Sequence, residues 1–383
     1  MRKELCFILD SYPTKTTNGC VFAKHLICAI ADMGFRCTVI SPRILGWDGE
    51  RIPYAVEDRT ARGSVIRVFR PWYLHLSSRK QTMGLSMDNH FRAVMGVIRR
   101  EKLKPALVYG HFIYQCGLTA ARVGERLGIP AYCACGENSL RLEKGSLPYA
   151  TGLRHRGWKD ILKKLSGVVC VSGNNERLLR ETGFIDAQMR TGVFPNGVDE
   201  TKFRVLDRAA CRRELNLPAD AFIVAYTGTF SSNKGVDRLC QALKNCEDVY
   251  SIFMGQGPVE PEGERILFKG RVPNDQVAKY LNAADVFVLP TRGEGCCNAI
   301  VEALSCGLPV ISSDLAFNDD ILHEGNSIRV DVEDVEQIRD GILKLYHDPG
   351  LRRALARGAR ESAAALGIGR RAERIVDFME LSL

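Results

Sequence analysis

Apolar residues in this chain fall into short unbroken runs separated by polar loops and by longer stretches of mixed polarity. That is the pattern of strands buried on both faces alternating with amphipathic helices. The clearest case runs from Asp285 to Asp314. Val286–Leu289 reads as a buried strand, followed by a loop holding Glu294 and Gly295. A helix from about Cys297 to Ser305 follows, stopped at Gly307, and Val310–Ser312 reads as a second buried strand. The same rhythm predicts strands at Leu5–Leu9, Cys37–Ile40, Val65–Phe69, Ala106–Tyr109, Ile129–Cys133, Val168–Val171 and Gly192–Phe194. The second half adds Phe222–Tyr226, Tyr250–Met254, Ile266–Phe268 and Ser327–Val330. Helices are expected at Cys20–Met33, Asn89–Glu101, Val236–Asn245, Val335–Tyr346, Pro349–Leu366 and Arg370–Leu381. Residues 47–88 look irregular apart from Val65–Phe69 and an aromatic and basic patch, RVFRPWYLHLSSRK. That patch suits either acceptor recognition or a plain surface hairpin.

Strand-helix alternation implies an α/β fold with parallel sheets, in which ligands bind beyond the carboxyl ends of the strands. The loop between Pro290 and Asn298 is therefore aimed at a site. Glu302 lies eight residues after Glu294, about two turns deeper, so both carboxylates can line one side of it. The helix N-terminus between them offers free amides and a positive dipole end to an anion, and Gly295 permits close approach. A diphosphate fits the amides and a pair of vicinal hydroxyls fits an ionised carboxylate. On spacing alone the two glutamates are equally ordinary members of an amphipathic helix. His111 follows the strand Ala106–Tyr109 and by position faces the ligand edge; a lone histidine is otherwise commonly structural. Lys234, in the loop after Phe222–Tyr226, is placed to neutralise diphosphate charge.

At 383 residues the chain exceeds what one core usually serves, so two domains are expected, meeting near residue 200. Residues 1–190 carry 30 basic against 16 acidic side chains, a net +14; residues 191–383 carry 23 against 29, a net −6. A basic first domain suits an anionic partner, or is simply a solvated surface. Its basic residues are scattered without a stacking-aromatic module, which argues against nucleic acid. The basic segment Arg154–Lys164 puts Trp158, Ile161, Leu162 and Leu165 on one face, so it reads either as a helix lying on an anionic membrane or as an ordinary surface helix. No apolar run is long enough to span a membrane, and MRKELCFILDSYP has too short a run for a signal peptide; a cytoplasmic protein is expected, peripheral at the membrane's inner face in the lipid-binding reading. Fourteen cysteines without zinc-site spacing read as mostly buried free thiols. The glycines form no dinucleotide fingerprint.

The sequence Glu294-Gly295, Glu302-Ala303 and Gly307-Leu308-Pro309-Val310 resembles the E-x7-E signature of the retaining glycosyltransferases of family 4, which have the GT-B fold. PNGVD at Pro195–Asp199, YTGTFSSNKGVDRL at Tyr226–Leu239, MGQGP at Met254–Pro258 and FKGRVPNDQV at Phe268–Val277 fall in the family's order. The first half matches mainly at Gly19 and around His111. The resemblance implies two doubly wound, Rossmann-like domains facing across a cleft: residues 1–199 binding the acceptor, 200–366 binding the donor, and 367–383 a helix crossing back to the first domain. It implies that Glu294 orients the donor sugar, Glu302 holds the ribose, and Lys234 with the amides of Gly295, Cys296, Cys297 and Asn298 stabilises the diphosphate. Val272, in the segment after the strand Ile266–Phe268, would pack against the base, most commonly uridine. Gly19 would let the first domain approach the diphosphate, although a glycine before a helix also serves capping alone. His111 would reach the reacting sugar, and Glu137 would bind or deprotonate the acceptor hydroxyl. The family commonly has an arginine where this chain has Thr229, which leaves the second phosphate charge to Arg292 or another base.

No cofactor or metal is implied, since the chain has no Asp-x-Asp motif and the fold works with protein charges. The expectation is transfer of a sugar from a nucleoside diphosphate sugar to a saccharide or lipid-linked hydroxyl, in polysaccharide biosynthesis. Alternatives are a non-catalytic nucleotide-sugar-binding protein and an epimerase or phosphorylase of the same fold.

Overall fold

The computed structural model describes residues 3–14, 19–46, 52–75, 83–138 and 158–381. Contacts divide the chain into two units, Met1–Phe194 with Gly369–Leu383, and Pro195–Ile368.

Unit 1 is built on β1 (Glu4–Ile8), β2 (Arg36–Ile40), β4 (Ala55–Arg59), β5 (Val65–Phe69), β7 (Leu107–Gly110), β8 (Ala131–Cys135), β9 (Gly167–Cys170) and β10 (Thr191–Val193), while β3 (Arg43–Ile44) and β6 (Trp72–Tyr73) form a separate parallel pair. The sheet order is β10-β9-β8-β7-β1-β2-β5-β4. Only β4 runs antiparallel, against β5. Every residue of β1, β7, β8 and β9 is buried, which is why these strands read as continuous apolar runs. The residues expected to be irregular contain β4, whose AVEDR alternates half-buried and exposed positions as an edge strand does.

Unit 2 carries β11 (Phe222–Thr227), β12 (Val249–Met254), β13 (Ile266–Gly270), β14 (Val286–Leu289), β15 (Val310–Ser313) and β16 (Ser327–Val330), all parallel. Their order is β13-β12-β11-β14-β15-β16. In both sheets the chain leaves the first strand in one direction and later returns to pair on its other side, β7 beside β1 and β14 beside β11. Each reversal opens a crevice at the carboxyl edge.

Four of the described α-helices start on side-chain caps, Pro349–Ala363 through Asp348 among them. Ser172 caps Gly173–Glu181 through Asn175 N at 3.2 Å, and Asp334 caps Val335–His347 through the amides of Glu336 and Gln337. Asp207 caps Arg208–Glu214. Helices at the two reversals lack such a cap, as does Asn274–Ala283 away from them. Val21–Asp32, Val236–Lys244 and Asn298–Ser305 begin without a side-chain cap. Their first amides are left for other partners.

The last helix, Ile368–Phe378, docks on unit 1 through aromatic contacts of Phe378 with Tyr132 (5.8 Å) and Phe194 (5.4 Å), and Arg371 Nε donates to the Phe194 carbonyl. The helix Trp158–Leu162 accounts for part of the basic segment considered for membrane contact; Arg154–Gly157 lie outside the described residues. Leu162 and Leu165 of its apolar face are buried in the core of unit 1, with Ile161 packed against that core. All fourteen cysteines are free thiols, twelve of them buried. Among the described residues no helix is long and apolar enough to cross a membrane.

Candidate functional site

At the reversal of unit 2 the loops after β11 and β14 are tied together. Arg238, on the helix Val236–Lys244, donates to the carbonyls of Ser232 and Pro290 at 2.9 and 2.8 Å. Arg292 N donates to the Asn233 carbonyl at 2.9 Å, as does the buried Thr291 hydroxyl at 3.3 Å. Gly235 sits in the left-handed region at φ 74°, and an added Cβ there would lie 2.3 Å from the Pro290 carbonyl, so the two loops approach this closely only with glycine.

This stitching brings Lys234 and Glu294 into direct contact, the ammonium on Oε1, although sixty residues separate them. Thr291 Oγ1 donates to the same carboxylate oxygen at 3.3 Å. Burial works to lower the Lys234 pKa, but the Coulombic pull of Cys297 and Glu294 and the bond to Glu294 outweigh it and hold the ammonium above its ordinary value. Burial, then Glu294, pushes the Cys297 thiol up to about 12, so at neutral pH it is uncharged and the partner that matters is Glu294. Both members of the pair are largely shielded, with 24% and 13% of their side chains exposed.

Gly295, Cys296 and Cys297 lead from this pair into the uncapped helix Asn298–Ser305, whose first residue Asn298 is exposed. Glu302 keeps part of its surface accessible, yet protein crowds its carboxyl enough that burial alone pushes it up to about 8. It is therefore largely protonated at neutral pH until something stabilises the charge. Val272 is half-buried between β13 and the helix Asn274–Ala283. Backbone bonds from Gly255 to Gly270 (2.8 Å) and from Gly228 to Met254 (3.0 Å) carry that loop's neighbourhood back to β11.

Thr229 is exposed, and Arg292, considered as a substitute for the missing arginine, is engaged: its Nε and Nη2 hold Glu333 at 2.6 and 2.7 Å. Sequence reasoning gave Asn196 no role beyond a motif letter. Its side chain donates to the Cys296 carbonyl at 3.0 Å, fastening the PNGVD turn under the glutamate loop. Nothing local signals a contact between residues one hundred positions apart.

In unit 1, the loops after β1, β7 and β8 gather the remaining candidates. His111 is buried among Phe22, Tyr109 and Phe112, with ring centroids 4.8 to 6.3 Å away. Burial, then Arg371, lowers its pKa to about 3, and Nδ1 has no hydrogen-bond partner. It stays neutral at physiological pH. Glu137 accepts from Ile113 N at 2.9 Å through Oε1, while Oε2 is buried without a partner; burial raises its pKa. The carboxylate thus joins the loop holding His111 to its own loop. Gly19 precedes the helix Val21–Asp32, and an added Cβ would press on Ser11 Oγ at 2.2 Å. Among the described residues no group of three or more His, Cys, Asp or Glu side chains is placed to hold a metal ion.

Two doubly wound parallel sheets with polar loops collected at their reversals define the GT-B scaffold of sugar-transferring enzymes. The chain belongs to the glycosyltransferases of this fold: residues 21–202 match the family described as Glycosyltransferase Family 4, and residues 221–348 match Glycosyl transferases group 1. A protein of Bacillus subtilis (strain 168) with the provisional name teichuronic acid biosynthesis glycosyltransferase TuaC is 24% identical over 364 residues, covering 90% of each chain. The lipopolysaccharide core biosynthesis glycosyltransferase LpsD of Rhizobium meliloti (strain 1021) is 32% identical over 39% of this chain and 47% of its own. Among solved structures, sucrose-phosphate synthase from Thermosynechococcus elongatus superposes with a TM-score of 0.77 at 19% identity, covering 99% and 98% of the two chains. Anabaena HepE in complex with UDP-glucose gives 0.72 at 18% identity over 98% and 99%.

Proposed function

We propose that this chain transfers a sugar from a nucleoside diphosphate sugar to a hydroxyl of a saccharide or lipid-linked acceptor, with retention at the anomeric carbon and without a metal ion. The observation that carries this reading is the Lys234–Glu294 contact beside an uncapped helix start at the reversal of unit 2. A diphosphate laid on the free amides near Asn298 would draw the Lys234 ammonium toward itself, releasing Glu294 to accept hydroxyls of the sugar. Glu302, held protonated by burial, would ionise as two ribose hydroxyls donate to it. As the bond from the anomeric carbon to the diphosphate oxygen breaks, negative charge grows on that oxygen, and a pre-placed ammonium with helix amides stabilises it without a Lewis acid. The acceptor oxygen bonds to the anomeric carbon on the vacated face, and its proton passes to the leaving phosphate. No strong protein base is required, in keeping with a His111 that stays neutral.

Uridine diphosphate as the carrier draws support from HepE, whose crystal complexes hold UDP and UDP-glucose. Polysaccharide assembly draws support from the names of the TuaC and LpsD relatives; a place on the cytoplasmic side of a membrane, peripheral where the acceptor is lipid-linked, is part of the same proposal. The exposed Thr229 and the occupied Arg292 favour one competitor, a protein that binds nucleotide sugars without turning them over. Nucleoside diphosphate release across a donor panel, with proton NMR of the transferred sugar, separates them. Turnover with the donor's anomeric configuration is expected. Binding without release would leave only the competitor, and an inverted product would remove retention.

A further inference from the structure

Unit 1 contains a cavity of about 370 Å³ at the carboxyl edge of its sheet that the site residues discussed so far touch only at Gly19. Its walls come from the loop after β1 (Asp10, Ser11, Tyr12, Thr14), from Ser41 and Arg43 after β2, from Arg70 after β5, from Tyr73, and from His90 and Gln115. Sheet order places these around the reversal: β7, β1, β2 and β5 are consecutive neighbours. Gln115 follows β7 and Arg70 follows β5, three strand spacings or roughly 14 Å apart, the span of a substituted sugar.

The two ends differ in chemistry. At the β2 and β5 end stand two arginines that are themselves buried, Arg43 at 8% and Arg70 at 6% exposure. Arg43 is fixed by stacking on Trp72 at 4.3 Å and by donating to the Ile52 carbonyl at 3.2 Å, while the Arg70 guanidinium lies 6.0 Å from the centroid of the Tyr12 ring. Asp58 binds Lys24 at 2.6 Å and accepts from the Tyr12 hydroxyl at 2.8 Å. At the β1 and β7 end are neutral polar groups and one carboxyl. Tyr73 and Gln115 exchange hydrogen bonds at 3.1 and 3.3 Å, with Gln115 held at φ 54°, a conformation that side chains other than glycine rarely adopt. Asp10 keeps exposed surface and accepts from the Cys116 thiol at 3.0 Å; protein crowded around its carboxyl raises its pKa to about 6. Rigid guanidiniums set in a cavity wall suit a phosphate or carboxylate, and the opposite end suits sugar hydroxyls.

We propose that this cavity is the acceptor site and that the acceptor is an anionic sugar, its phosphate or carboxylate facing Arg43 and Arg70 and its hydroxyls facing Asp10 and Gln115. The proposal rests on the transferase reading for the word acceptor; the cavity's choice of an anionic sugar is tested independently of it. The full chain is titrated calorimetrically with glucose, glucuronate and glucose 6-phosphate, and separately with UDP-glucose. At least one anionic sugar is expected to bind about tenfold or more tighter than glucose, the tighter of the two naming carboxylate or phosphate. Arg70→Gln should remove that preference, and so should Thr14→Glu, which adds like charge at a half-buried wall position without opening the core. Neither variant should change UDP-glucose binding. Equal binding of the three sugars, no binding of any up to about 10 mM, or a preference that survives both variants would overturn the proposal. Anionic sugars binding while no nucleotide sugar binds would instead leave the site standing and remove the transferase reading.

Discussion

The two reversals of strand order are built alike and filled differently. Both place an uncapped helix after the first strand and polar side chains in the loop after the returning strand. In unit 2 the loop after the returning strand supplies Glu294 to an ion pair with Lys234 from the loop after the first strand, and Glu302 follows on the next helix. In unit 1 that loop holds a histidine that burial keeps neutral, and the charges lie two and three strands away, in Arg43 and Arg70. On the proposed reading, one topology provides two different surfaces: one to meet charge that develops in a reaction, and one to hold a molecule by its shape and fixed charge. Fold alone says little about chemistry; the side chains at the edge decide it.

The comparison breaks most severely at the opposite edge of unit 2. Asp285, 7% exposed, binds Arg212 at 2.8 Å, Arg208 at 2.5 Å and Ile223 N at 2.9 Å, fixing β14 beside β11. Asp285→Ala leaves the buried Arg212 without that partner and should lower stability by about 3–5 kcal/mol in urea unfolding. Next in size, Lys234→Ala should reduce the transfer rate about 10²- to 10³-fold while thermal stability changes little, because the pair is needed where charge develops. A rate within about threefold of the native chain would mean that Lys234 serves only as a partner for Glu294.

A gentler probe is pH. Glu302 sits near pKa 8 in the free chain and must be ionised to accept two hydroxyls, so nucleotide binding should release a proton. Affinity should fall by up to about tenfold per pH unit below 8 and level off above it. Glu302→Gln should flatten that profile. The sign for folding is the reverse: a raised carboxyl pKa favours the folded state most below the unfolded value near 4.5, and that advantage is lost as pH rises through 8. Smallest of all is the expectation for His111, lowered to about 3, whose ring signals should not titrate between about pH 5 and 8.

Much of unit 2 was legible because its strands are buried on both faces. VFVL at Val286–Leu289 and VISS at Val310–Ser313 stand out as apolar or small runs on either side of a helix that stops at Gly307. Ala55–Arg59 was missed because an edge strand buries little and AVEDR carries no strong β pattern. The helix Leu118–Leu127 was missed because, beside Leu118 and Val123, its buried face is made of small residues, Thr119, Ala120, Ala121 and Gly124, which look unremarkable in a linear reading. Within the site, residue identities were readable and their pairing was not. Lys234 had been cast for phosphate and Glu294 for sugar, and that they touch in the free chain depends on Gly235 and Arg238 drawing two loops together. The cavity with Arg43 and Arg70 was hidden for the same reason, its wall residues being scattered over one hundred positions.

The most direct measurement is thermal stabilisation by a panel of nucleotide sugars, run in parallel on the native chain and on Glu302→Ala. A ligand that binds only the folded chain must raise its melting temperature. The expected result is a shift with at least one uridine diphosphate sugar that Glu302→Ala loses. A panel that shifts neither protein, or shifts both equally, would contradict a donor site at the reversal of unit 2.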